Sequence, residues 1–241
     1  AELGGLEPSA IPMAAMNTMV RVQNPQRTML GAAQEDWLEQ QLRDSTAKSK
    51  AWQVLANQIV MARVRPPNFE RTLTDDQKAA QDVGYVQQVI PFSQLGLPWN
   101  LDAWDGFPAA RDRLYEDAMA AGARLVTLTG DTHTAWANTL RDADDEQRGV
   151  EFGCTSVTSP GFGTYMKDVP DIGEQFADAN DEVDFHDPSG NGWTLVTLTA
   201  DDVRADFRKV TDVRAETFTA SDVTAYVSRR TEDGMTPLEQ A

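Results

Sequence analysis

The chain has 241 residues, 41 % of them hydrophobic, and 21 basic against 38 acidic side chains give it a formal net charge of −17 at pH 7. That content fits a soluble globular protein of one large or two small domains, while the charge repels a phosphate backbone and excludes a general nucleic-acid-binding surface. One cysteine, Cys154, excludes an internal disulfide framework, and no apolar run approaches the ~20 residues of a membrane span. Ala1 stands where an initiator methionine would, which suggests processing, trimming or a fragment.

Residues 1–30 hold three prolines and no sustained period, and read as an extended N-terminal arm. From Gly31 onward Ala33, Trp37, Leu38, Gln41 and Leu42 recur at helical spacing, with Glu35, Asp36 and Glu39 loading the first half with acid. Residues 52–62, WQVLANQIVMA, predict a strand buried on both faces. Residues 63–100 carry Pro66, Pro67, Pro91 and Pro98 and predict a long loop with one short helix over 75–82.

Pro108 opens the next helix, Ala110, Leu114, Ala118 and Ala121 follow at helical spacing, and Gly122 ends it. A strand over 124–129 comes next, so helix, strand, long loop, helix and strand succeed one another as in layered α/β folds. Further strands are expected in VEFGCTSVTS (150–159), WTLVTLTA (193–200) and VRADFRKV (203–210), the last two as an antiparallel hairpin. Residues 160–192, with five glycines, read as loop, and the polar tail 214–241 as an appended helix or arm. The expected organisation is an arm over 1–30, a domain over 31–213 and a tail over 214–241.

Chemistry concentrates in LVTLTGDTHTAWAN (125–138), where one of only two histidines stands two residues from an aspartate, directly after an apolar strand. In open α/β sheets ligands bind beyond the carboxyl ends of the strands, which is where GDTH lies. If the segment is extended, Asp131 and His133 share a face, and a carboxylate with an imidazole is half of a metal site. Asp131 could instead orient His133 in a dyad or cap a following helix. A serine hydrolase is disfavoured, since there is no GxSxG elbow and only His186 remains to activate Ser156 or Ser159. Cys154 has nothing basic beside it and reads as a small buried hydrophobe; Trp104, Trp136 and Phe107 read as core or pocket wall.

Five blocks in one order, MLGAAQEDWLEQQL (29–42), WQVLANQIVMA (52–62), LDAWDGFPAARDRL (101–114), LTGDTHTAWAN (128–138) and EFGCTSVTSPGF (151–162), together resemble the PhoD-type alkaline phosphatase/phosphodiesterase family of calcineurin-like metallophosphoesterases. The resemblance implies an αββα sandwich with mixed sheets, of which this chain is the C-terminal half. It also implies metal-dependent hydrolysis of phosphomonoesters and phosphodiesters at a two-metal site, calcium and iron as the metals, and a periplasmic or secreted location. Bound cations would explain how so acidic a protein holds phosphate.

Carried over by position, Asp131 and His133 match the family's GDxH block and become the leading catalytic residues and metal ligands. Gln58 falls on a strand end where relatives outside this family place a ligating histidine; it is read either as a ligand or as a buried amide, with the neighbouring Asn57 as the alternative contact to metal or substrate. Asp105, with Asp102 nearby, is a ligand, a partner for His133 or the N-cap of the helix at Pro108. Arg111 or Arg113 braces a carboxylate, meets phosphate or simply packs, and His186 would reach the substrate from the other sheet.

The pattern departs from the family in one respect: its other metal-binding blocks, on strands ahead of the 29–42 helix, are absent. Asp131 and His133 alone fall short of the roughly three protein ligands that one catalytic metal needs. The N-terminal half is therefore expected as a second chain or a missing segment, the alternative being a non-catalytic binding or scaffold subunit. Half a sandwich should expose an unpaired strand edge and an uncovered sheet face. A retired scaffold should have made them polar, yet VLANQIVMA and RLVTLT are as apolar as interior strands.

Overall fold

The computed structural model describes residues 11–81, 85–166 and 168–241. In chain order the elements are α1 (Ile11–Val22), α2 (Ala32–Ala47), β1 (Gln53–Ala56), α3 (Phe69–Thr72), α4 (Asp75–Ala80), α5 (Tyr85–Ser93), α6 (Pro108–Ala120), β2 (Leu125–Thr129), β3 (Ala135–Arg141), β4 (Gln147–Gly153), α7 (Ile172–Asp178), β5 (Val183–Asp187), β6 (Gly192–Leu198), β7 (Asp202–Val210), β8 (Ala220–Arg229) and β9 (Glu239–Gln240). Short 3-10 turns lie at Trp104–Gly106 and Phe162–Tyr165.

Two sheets form. The first has the order β1-β2-β4-β3-β5, with β1, β2 and β4 parallel and β3 antiparallel to both β4 and β5. The second, β6-β7-β8-β9, is wholly antiparallel. The fold class expected from the sequence, α/β with mixed sheets, is the one observed.

Successive residues of the first sheet point to opposite faces and bury both. Leu125, Trp136 and Leu140 join Trp104, Leu114, Tyr115 and Phe176 in a core between sheet and helices. Their neighbours Val126 and Ala137, with Val150 and Phe152, meet Val203, Ala205 and Phe207 in a second core between the sheets. A strand buried on both sides must read as a continuous apolar run, which is why LVTLT does. Each large side chain so buried contributes about 1.5–3 kcal/mol. Helix α6 follows its sequence signals: Pro108 occupies the first turn, where its missing N–H is no loss, and Gly122 takes the left-handed conformation at φ 65 that ends it.

Several expectations are corrected. Within the supposed extended arm, 11–22 is a helix, because Pro12 falls in its first turn and the Ala- and Met-rich stretch after it favours helix; residues 1–10 of that arm lie outside the described residues. The strand over 52–62 shortens to β1, and it sits at a sheet edge with Val54 47 % exposed. The loop over 63–100 contains α3, α4 and α5, with Pro91 inside α5, and the loop over 160–192 contains α7 and β5. The polar tail is neither helix nor arm but β8 and β9; half-solvated antiparallel strands alternate and so read as polar. Among the described residues no helix is long and apolar enough to cross a membrane.

Candidate active site

The carboxyl ends of the three parallel strands meet in one row. Asn57 N–H donates to Leu128 O at 2.9 Å, Gly130 N–H to Gln58 O at 3.0 Å, and Cys154 N–H to Thr129 O at 2.8 Å. This is the place where open α/β sheets collect ligands, because helices cover the faces and loops leave only the strand ends open.

Beyond β2 the chain does not stay extended, contrary to the alternation argument for Asp131 and His133. Thr132 N–H donates back to Gly130 O at 2.7 Å, and both Asp131 (φ 62) and His133 (φ 59) are left-handed. Left-handed non-glycine residues cost about 1 kcal/mol each and gather at functional sites. The turn leaves Asp131 and His133 exposed. Thr132 points inward between them, its hydroxyl accepting Trp136 Nε1–H at 3.0 Å. The next element is β3, so the alternative in which Asp131 caps a following helix is not realised.

Residues 154–163 clamp this turn. Thr155 Oγ1 donates to His133 O at 3.2 Å, and His133 Nδ1 lies 3.3 Å from Pro160 O. A carbonyl only accepts, so Nδ1 carries the proton and Nε2 is left free as an acceptor or metal ligand. Gly161 is required here: a Cβ would stand 2.4 Å from Pro188 O and 2.7 Å from His133 O. Thr155, Pro160 and Gly161 had no assigned role in the sequence; the Pro-Gly pair after β4 was the available signal.

The other expected site residues separate. Gln58 is exposed on the same row of strand ends, while Asn57 turns its amide back onto Ile59 O. Asp105 and Arg111 come together with each other: Asp105 Oδ1 accepts Arg111 Nη1 at 2.9 Å and Oδ2 accepts Val64 N–H at 2.8 Å. Arg111 also donates to Met61 O at 3.0 Å. Burial raises the Asp105 carboxyl, opposed by the adjacent guanidinium. Asp105 thus serves a buried brace and does not cap α6, whose N-cap is Phe107. His186 belongs to β5 of the first sheet, not to the other sheet. It stacks on Trp136 at 3.5 Å between ring centres, its Nδ1 is 3.0 Å from Ala135 O, and burial pushes its pKa down to about 3. A neutral buried imidazole in that position packs the core.

As a donor set for a metal, Asp131 carboxylate, His133 Nε2 and the Gln58 amide suit a hard or borderline cation. Among the described residues no group of three or more His, Cys, Asp or Glu is gathered, so these donors amount to part of a coordination shell at most.

Comparison with known proteins identifies the family. The family model described as PhoD-like phosphatase matches residues 8–207. Alkaline phosphatase D of Bacillus subtilis (strain 168) is 30 % identical over 219 residues, which cover 88 % of this chain and 32 % of that protein. The solved structure described as "Structure of PhoD" superposes with a TM-score of 0.66 at 27 % identity, covering 91 % of this chain and 36 % of that one. This chain spans about a third of the length of these relatives. With the family model matched over most of its length and the fold shared, the chain belongs to the PhoD-like phosphatase family.

Proposed function

We propose that this chain contributes to the hydrolysis of phosphate esters, both phosphomonoesters and phosphodiesters, by supplying part of a two-metal site outside the cytoplasm. The observation that carries the reading is the left-handed GDTH turn, which exposes Asp131 and His133 at the row of parallel strand ends. Asp131, His133 Nε2 and Gln58 would hold metal, calcium and iron by family likeness, and Arg111 would support the site through Asp105. Bound metal ions would supply charge neutralisation for the phosphate and a water acidic enough to act as nucleophile. The chain's own residues fix geometry: Pro160 O sets the His133 tautomer, Thr155 holds the backbone, and the two left-handed residues keep the donors outward.

The remaining ligands would come from the N-terminal part of a PhoD-like fold, present as a second chain or as a preceding segment. Two features support this. Among the described residues strand β1 leaves one edge unpaired beside α2, where Trp37 is exposed along a groove of about 600 Å³ that also takes in Leu38, Val54 and Gln58. Strand β6 turns Trp193 and Leu195 outward from the second sheet. Unpaired edges and apolar faces of this kind mark surfaces that another part of a fold covers.

Co-expression with the N-terminal part of a PhoD-like protein, in calcium and iron, tests the reading with p-nitrophenyl phosphate and bis(p-nitrophenyl) phosphate. The pair should turn over and the chain alone should not. Full activity of the isolated chain refutes the shared site, and an inactive pair with metals bound favours a non-catalytic scaffold.

A further inference from the structure

The segment after β1 is buried without belonging to a strand ladder, and side chains receive its backbone N–H groups one after another. Glu151 Oε1 accepts Met61 N–H at 2.7 Å and Oε2 accepts Ala62 N–H at 3.1 Å. Glu182 accepts Arg63 N–H at 3.1 Å, Asp105 accepts Val64 N–H at 2.8 Å, and Asn180 accepts Arg65 N–H at 2.7 Å. On the carbonyl side Arg111 donates to Met61 O, Trp99 N–H to Val64 O and Asn180 Nδ2 to Arg65 O. Buried backbone groups must be paired, and here five side chains and the Trp99 N–H do what a neighbouring strand would otherwise do.

Glu151 stands apart within this set. It is fully buried on β4, and its third partner is Asn138 Nδ2 at 2.7 Å, so all three of its partners are neutral donors. Only the ionised carboxylate accepts from all three; a protonated acid or an amide would set a donor against a donor. Met61 and Ala62 lie three and four residues beyond Gln58, whose carbonyl accepts the Gly130 N–H at the root of the GDTH turn.

We propose that Glu151 is a positioning residue of the site: by anchoring Met61 and Ala62, it fixes the Asn57–Gln58 end of β1 against the turn that carries Asp131 and His133. That these residues form an active site rests on the functional reading above; the anchoring does not. Burial pushes the Glu151 carboxyl up to about 7 against its three hydrogen bonds, with Glu182 adding repulsion. The other charged or titratable groups of this layer are Arg63 on the anchored segment, Asp105 before α6, and Arg111 and Tyr115 on α6. An opening of the segment that hydrates Glu151 releases its proton, so the closed segment is weakened as pH rises from about 4.5 to about 7.

Amide hydrogen exchange, resolved by NMR on the whole chain, tests the proposal without any turnover. It therefore fails or succeeds independently of the phosphoesterase reading. In E151Q, Met61 and Ala62 should exchange about tenfold faster or more, and the faster exchange should extend to Asn57 and Gly130. The wild type should show the same loosening as pH rises from about 4.5 to about 7, after correction for intrinsic exchange. If E151Q does not fold, N138A carries the test: it keeps the charge but removes one bond to it, so the midpoint should move up in pH. Unchanged exchange at Met61 and Ala62 overturns the anchor. Loosening confined to those two, with Asn57 and Gly130 still protected, overturns the positioning role, as does an unmoved midpoint in N138A.

Discussion

Replacing Asp105 by asparagine distinguishes a buried brace from a metal ligand. In the wild type the carboxylate accepts from Arg111 Nη1 at 2.9 Å and from Val64 N–H at 2.8 Å, and the two side chains of the ion pair are only 10 % and 6 % exposed. An asparagine keeps one acceptor oxygen and turns an NH2 group toward the second donor, leaving either Val64 N–H or the guanidinium unsatisfied. Arg111 then remains buried without its counter-charge. Removing one partner of a buried pair costs about 3–5 kcal/mol, and so little exposure leaves almost no solvent screening to reduce it. At a urea dependence of about 2 kcal/mol per M, even the lower figure lowers the unfolding midpoint by about 1.5 M. Urea unfolding of the chain without added metal, followed by tryptophan fluorescence through the buried Trp104, is the assay. A shift below about 0.5 M, together with loss of bound metal in the assembled enzyme, would refute the brace and restore Asp105 as a ligand.

Three further outcomes are expected from the geometry. Gly161→Ala sets a Cβ 2.4 Å from Pro188 O and 2.7 Å from His133 O, so it should lower stability by about 1–3 kcal/mol and disturb the His133 turn; an unchanged melting temperature contradicts this. Asp131→Gly should relieve a left-handed aspartate, holding or raising stability by up to about 1 kcal/mol while weakening metal binding by the assembled enzyme; calorimetric titration showing undiminished affinity removes Asp131 from the ligand set. His186 stays neutral in the folded protein down to about pH 3, whereas the unfolded chain takes up a proton near 6.5. The unfolded state thus binds more protons in that window, and stability is lost as pH falls through it, by about 1.4 kcal/mol per unit. The difference between wild type and His186→Phe isolates this slope from the opposite one of Glu151, whose raised pKa makes stability fall as pH rises from 4.5 to about 7. Denaturant melts of the two proteins that run parallel from pH 6.5 to 4 would refute the assignment.

Where apolar periodicity was strong, the elements could be read directly. Helices α2 and α6, the strand at 125–129 and the hairpin of β6 and β7 all fall where the pattern places them, since each buries a stripe or both faces against a core. Reading failed where burial was one-sided or polar. The β8 sequence ASDVTAYVSR has too little apolar content to signal a strand, and it is one because β7 pairs with it along nearly its whole length. Residues 59–62 read as strand but carry no ladder, because the Glu151 carboxylate, distant in sequence, accepts the Met61 and Ala62 N–H groups in its place.

The sequence by itself determined the layered α/β class, the acidic surface, and the placement of Asp131 and His133 at a strand end, because hydrophobic period, charge and turn signals are local properties. Only the tertiary structure decided what the remaining polar residues do. Asp105, Arg111, Glu151, Glu182 and His186 carry the same functional groups whether they bind a ligand or hold the core. Partners 6 to 119 positions away in the chain commit Arg111 to Asp105 and Glu182 to Arg63, and stack His186 on Trp136. Burial and partner geometry, which no short window of sequence contains, are what set those roles.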